Sequence, residues 1–119
     1  MIVAIHAFEN QYGGLHGMCH SLIVEVEDVK AAEERAAEES RQVMDSYSCI
    51  MESFESDAEC DGVEEGTEEY DEYIEECIQS NIGYQIWEVI DRYAPLTEME
   101  EDFYNNKDEF VKEHCRELV

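Results

Sequence analysis

Between Gln42 and Asp91 the chain carries sixteen carboxylates and no lysine or arginine. Crowding like charges costs folding energy, roughly 0.2–0.5 kcal/mol for each i,i+4 pair on a helix. Any helix formed here must therefore offset that repulsion with a well-defined apolar face. Solubility asks for far less, a net charge of about 2–8 for a small domain, whereas the formal charge of this chain is -25. The excess points to a role for the charge itself.

That charge narrows the range of partners. A surface so negative repels phosphate backbones and anionic lipids. Neither direct nucleic-acid binding nor membrane binding is expected, and a basic partner protein or a cation is. At 119 residues and 44% hydrophobic content, the sequence is expected to form a single domain, 1–119, with one modest core rather than a disordered acidic tail. Aromatic residues from Tyr12 to Phe110, Trp87 among them, supply core material. The opening Met1-Ile-Val-Ala-Ile-His has no basic region of the kind that starts a signal peptide. No stretch approaches the roughly 20 apolar residues of a membrane span. Five cysteines, odd in number and without CxxC spacing, read as reduced thiols. A cytoplasmic protein is the expectation.

Pattern along the chain predicts an α+β fold. Residues 2–8 and 18–26 are apolar, β-branched strands, joined by a glycine-punctuated loop at 9–17. Asp28 is placed to cap a helix whose apolar positions run from Val29 through Ala32, Ala36, Val43, Tyr47 and Ile50 to Phe54, ending near Ser56. If part of that stripe stayed exposed, it would pair two copies as a homodimer. Thr67 caps a further helix over 68–80, with Tyr70, Tyr73, Ile74, Cys77 and Ile78 on its apolar side. A third strand follows at 84–90. Thr97 to Glu100 reads as a capping box opening a C-terminal helix, which Asn106 divides. The predicted order is β-β-α-α-β-α, a three-stranded antiparallel-type sheet covered by acidic amphipathic helices.

Signs of catalysis are few. The chain has no GxSxG elbow, HExxH pair or phosphate-binding Walker loop, and no enzyme is expected. His16, Cys19 and His20 carry metal-capable atoms close together but lack the second half of a zinc site. One local pattern is sharper. Residues 57–68 follow the spacing of an EF-hand calcium loop: Asp57, Glu59 and Asp61 at the first ligand positions, Gly62 at the turn, Val63 for its carbonyl, then Glu65 and Glu68. Glu59 and Glu64 depart from the usual residue types, and no second loop is present. Calcium is the alternative cofactor reading; otherwise none is expected.

The densest charge comprises Glu52, Glu55, Asp57, Glu59, Asp61, Glu64, Glu65, Glu68, Glu69, Asp71, Glu72, Glu75 and Glu76. Helical neighbours at i,i+3 and i,i+4 hold Cβ atoms about 5–6 Å apart. Carboxylates at that spacing imitate a row of phosphates on a rigid scaffold. In size, composition and helix-borne acidity the chain resembles the small acidic DNA-mimic inhibitors of bacteriophages and mobile elements, of the anti-restriction and anti-CRISPR kinds. The resemblance implies a basic nucleic-acid-binding protein as partner; these thirteen residues, on their charge alone, are the expected contact surface. A small acidic interaction domain without mimicry is the plainer alternative.

Overall fold

The structure is a computed structural model, and it describes residues 1–10 and 19–118. Residues 11–18, including Gly13, Gly14, His16 and Gly17 of the predicted 9–17 loop, lie outside the described residues, and Glu9 belongs to the first strand. Two strands, β1 (Ile2–Glu9) and β2 (Cys19–Glu25), pair antiparallel from Ile2 opposite Glu25 to Phe8 opposite Cys19. Three helices follow, α1 (Val29–Ser46), α2 (Ser48–Cys60) and α3 (Glu68–Asn81). β3 (Ile82–Val89) returns along the other side of β1, and α4 (Leu96–Asn105) and α5 (Lys107–His114) lead into a short β4 (Cys115–Glu117). The sheet has four antiparallel strands in the order β2-β1-β3-β4. The α+β class is as expected, with one strand more than the three predicted.

Alternation along β1 sends side chains to two faces, and both are covered. Val3, Ile5 and Ala7, with Leu22 and Ile86, pack under α1 through Ala32 and Ala36. The small alanines let the helix backbone lie close to the sheet. Ala4, Ile23 and Val89 pack on the opposite face under Met99, Phe103 and Phe110 of α4 and α5. Trp87 meets Phe103 edge to face, 6.0 Å between centroids. The sheet is therefore the middle layer of three. α2 and α3 pack against neither face. They close a separate apolar seam of Met44, Ile50, Phe54 and Ile78, and the molecule extends to 53 Å along its longest axis.

Four expectations need correction. The helix predicted from Val29 to near Ser56 is two helices, broken at Tyr47, whose backbone is extended (φ -116, ψ 104). Asp45-Ser46-Tyr47-Ser48 is a run of weak helix formers, and Ser46 Oγ bonds back to the Gln42 carbonyl at 2.7 Å. Most of the stripe from Val29 to Phe54 is taken up by the sheet and the seam: Ala32, Ala36, Val43, Ile50 and Phe54 are buried and Tyr47 is half-buried, while Val29 at its start is exposed. It offers no continuous apolar face to a second copy. The capping box at Thr97 does not form: α4 starts earlier, with the Pro95 carbonyl accepting from the N–H groups of Glu98 and Met99. Glu100 instead accepts from the Ile23 N–H on edge strand β2 at 3.0 Å. Finally, the C-terminal helix stops at His114, and residues 115–117 pair with β3. Other caps are as predicted: Asp28 accepts from Ala31 N–H, Thr67 from Tyr70 N–H, and Asn106 from Glu109 N–H.

One side chain ties the acidic part of the chain to the sheet. Ser40, buried on α1, donates its hydroxyl to the Phe8 carbonyl and accepts from the Gly83 N–H at 3.1 Å, bridging β1 and β3. Gly83 is closely covered on its own account: a Cβ there would lie 2.6 Å from the Phe8 ring and 2.7 Å from the Asn10 side-chain oxygen. Ser40→Ala removes the bridge and leaves a buried N–H and C=O without it. We expect a loss of about 1–3 kcal/mol in urea unfolding, with native-like circular dichroism below the transition.

Candidate functional site

The acidic surface is built on the α2–α3 hairpin. α2 ends where Gly62, at φ 76, takes a left-handed turn. Val63 N–H reaches the Ala58 carbonyl at 3.0 Å and Gly62 N–H reaches that of Glu59 at 3.1 Å, the double bond pattern of a glycine-terminated helix. Thr67 then opens α3, its hydroxyl also donating to the Glu64 carbonyl. The two helices are held antiparallel by the seam beneath them. Across their top, the Tyr73 hydroxyl donates to Asp61 at 2.6 Å. That bond, with partial burial and the Asp61 charge behind it, pushes the Tyr73 phenol up to about 12.

All thirteen carboxylates expected to form the contact surface are solvent-exposed. The structure gathers them around two hollows. One, of about 820 Å³, is lined by Glu52, Glu55 and Glu59 of α2 and by Glu64 and Glu65 of the connecting turn, with Tyr70 and Val63 as its apolar wall. The other, of about 590 Å³, runs along α3 between Glu68, Asp71, Glu72, Glu75 and Glu76. Asp57, Asp61 and Glu69 lie outside both hollows. Tyr70 belongs to the first hollow rather than to the core. Its phenol is pushed up by desolvation and by Glu55, Glu65 and Asp71.

Glu75 has a different role from its neighbours. Arg41 of α1 donates to both its carboxylate oxygens, at 2.8 and 2.5 Å, and Gln79 donates at 3.1 Å. The Arg41 bond is the main reason the Glu75 carboxyl sits at about 2, with the Gln79 bond next. Arg41 and Glu75 stand 34 positions apart in the chain, and only the fold brings them together. Arg35 does pair within α1, its Nε 3.0 Å from Glu39.

The metal readings meet a different geometry. Asp57 and Glu59 lie in the last turn of α2, two positions apart and so turned to different sides of the helix. Gly62 ends that helix instead of turning a twelve-residue loop, and Asp61 is engaged by Tyr73. Asp57, Glu59, Asp61, Val63, Glu65 and Glu68 are thus not wrapped around a common centre. Cys19 and His20 are successive residues of β2 and project to opposite faces. His20 turns to Glu39, Nδ1 to Oε2 3.1 Å, while His16 lies outside the described residues. Among the described residues no three His, Cys, Asp or Glu side chains converge as a metal site.

All five cysteines are free thiols. Cys115 is pushed up to about 11, mainly by burial and then by Asp91, and burial also raises Cys77, with Asp57, Glu76 and Asp61 adding to it. Such thiols are poor nucleophiles near neutral pH. His6 is a packed residue, its Nδ1 3.1 Å from Ser21 Oγ. Its pKa is lowered by burial first and by Lys107 second. Among the described residues no helix is long and apolar enough to cross a membrane. Comparison with protein-family models, curated proteins and solved structures finds no match to this chain.

Two outcomes test this geometry. Because the folded state depresses the Glu75 pKa, the Arg41–Glu75 contribution is present above the ordinary carboxylate range and lost as pH falls through about 2. Arg41→Gln should return Glu75 toward that range in a carboxyl NMR titration. The gap in melting temperature between wild type and variant should shrink as the pH approaches 2. Separately, calorimetry at low salt should find weak calcium uptake matched by magnesium and unchanged by Glu68→Gln. A saturable calcium-specific site lost in Glu68→Gln would mean that 57–68 rearranges around the ion.

Proposed function

We propose that this chain is an acidic nucleic-acid mimic that occupies the basic DNA- or RNA-binding groove of a protein, in the manner of anti-restriction and anti-CRISPR inhibitors. The observation that carries this reading is the α2–α3 hairpin: two rows of exposed carboxylates on rigid helices, facing solvent without a cation among them. Glu52, Glu55 and Glu59 form one row on α2, and Glu68, Glu72 and Glu76 another on α3. Arg41, which packs against the hairpin from α1, is spent on Glu75. The remaining charges are balanced only by mobile counterions, whose release would drive docking on lysines and arginines set at phosphate spacing.

Rigidity supports the same reading. A disordered acidic segment offers equal charge but must be ordered on binding. Here the seam, the Gly62 terminus and the Tyr73–Asp61 bond already set the helices that carry the carboxylates. Preorganised charge favours a partner whose own charges are fixed, as in a groove shaped for a duplex.

The test begins with recovery of partners from cell extract on immobilised protein, eluted with salt. On the recovered protein, its nucleic acid should compete with the chain for binding. The Glu68→Gln, Glu72→Gln, Glu76→Gln triple variant leaves the seam and the Arg41–Glu75 pair intact. It should fold normally and bind about three- to thirtyfold more weakly, mainly through slower association, with a reduced salt slope. Partner and nucleic acid binding side by side, or undiminished inhibition by the triple variant, would defeat the proposal.

A further inference from the structure

A third hollow lies away from the hairpin, beyond the C-terminal end of β3. It encloses about 410 Å³, and its wall is aromatic: Tyr93, Phe110 and His114 pack together there. Tyr93 and His114 lie 4.5 Å apart at 35°, and Phe110 is 5.3 Å from His114. Tyr93 remains 45% exposed, yet its orientation is fixed, because its hydroxyl donates to Asp102 at 2.6 Å. Around the rings stand Asp102, Glu109 and Glu113. Neutral donors hold the first two, Tyr93 for Asp102 and Asn106 for Glu109 at 2.7 Å. No lysine or arginine lines the hollow. His114, the one lining residue able to carry positive charge, turns Nδ1 to Asp91 at 3.0 Å and has Nε2 3.6 Å from Glu113.

Carboxylates are common on this molecule and by themselves single out nothing. The combination is what differs here. The two hairpin hollows contain one aromatic side chain between them, Tyr70, whereas this one is walled by three packed rings. A partly exposed ring held in place beside Asp102 and Glu109, which meet only neutral donors, suits a planar cation, which can stack on the ring and fork onto a carboxylate at once. An ammonium, compact and strongly hydrated, gains less from such a wall. We propose that the hollow between the end of β3, α4 and α5 is a binding site for a guanidinium group, the side chain of an arginine on a partner protein. The site is distinct from the α2–α3 surface and does not depend on the mimic reading.

The experiment uses the full chain and two probes at constant ionic strength, N-acetyl-arginine amide and N-acetyl-lysine amide, followed by NMR of the aromatic and backbone signals. The arginine probe should give saturable shifts centred on Tyr93, Phe110 and His114, and the lysine probe a clearly weaker response. Tyr93→Leu, and separately the surface pair Asp102→Asn with Glu109→Gln, should each weaken arginine binding by about three- to tenfold. Glu68→Gln with Glu72→Gln should leave it unchanged, which separates this site from the mimic surface. Equal response to both probes, shifts spread over α2 and α3 as well, or full binding by the surface-charge variant would overturn the proposal. Should Tyr93→Leu fail to fold, the probe comparison and the surface-charge variant still decide.

Discussion

The seam of Met44, Ile50, Phe54 and Ile78 holds together two helices whose outer faces repel each other. Magnitudes explain why it succeeds. Burying a large apolar side chain is worth roughly 1.5–3 kcal/mol, while each like-charged i,i+4 pair at the surface costs roughly 0.2–0.5 kcal/mol. Four such side chains outweigh the several carboxylate pairs along α2 and α3. The seam is separate from the two cores that sandwich the sheet, so the hairpin can carry charge without disturbing them. Its attachments are few and specific: Ser40 into the β1–β3 ladder, Arg41 to Glu75, and the direct passage from Asn81 of α3 into Ile82 of β3.

Those attachments show what could and could not be read from the sequence. Local signals carried far: short apolar, β-branched runs marked β1 and β2, a third run at 84–90 marked most of β3, and the Tyr70–Ile78 stripe marked α3. Asp28, Thr67 and Asn106 cap as their positions suggest. Even the break at Tyr47 had a local cause in Asp45-Ser46-Tyr47-Ser48, but the unbroken apolar spacing across it masked the signal. β4 was not legible, because three residues are too few to show a period and their pairing with β3 is a contact made across the fold. Thr97 and Glu100 show the limit in another form. Their spacing is that of a capping box, but the N–H of Ile23, 77 positions away, takes the Glu100 carboxylate.

The candidate site divides along the same line. That the thirteen carboxylates would be exposed followed from their number and from the apolar stripes opposite them. Which of them are free did not. Glu75 is committed to Arg41 and Asp61 to Tyr73, and both pairings join residues on different elements. The EF-hand spacing at 57–68 illustrates how composition can imitate a motif. Where nearly every other residue is acidic, the ligand positions fill by chance, and a single glycine serves equally as loop turn or helix stop. Backbone context decides between them, and here the bonds from Val63 to Ala58 and from Gly62 to Glu59 make it a helix stop.

A net charge of -25 would be expected to act as a diffuse field, drawing any cation to any part of the surface. The fold gives the field structure in two ways. On the hairpin, carboxylates stand in rows at helical spacing, with a single aromatic ring, Tyr70, lining the hollows between them, which suits a partner read by charge and distance. Around Tyr93 and Phe110 the same charge surrounds aromatic faces, which suits a single planar cation read by shape. Screening separates the two physically: contacts between exposed charges weaken as salt shortens the Debye length from about 10 Å at 0.1 M to 3 Å at 1 M, while stacking on a ring depends much less on salt. A basic partner that engaged both surfaces would lose the first contact and retain part of the second as salt rose, so its salt dependence would flatten instead of falling along one line.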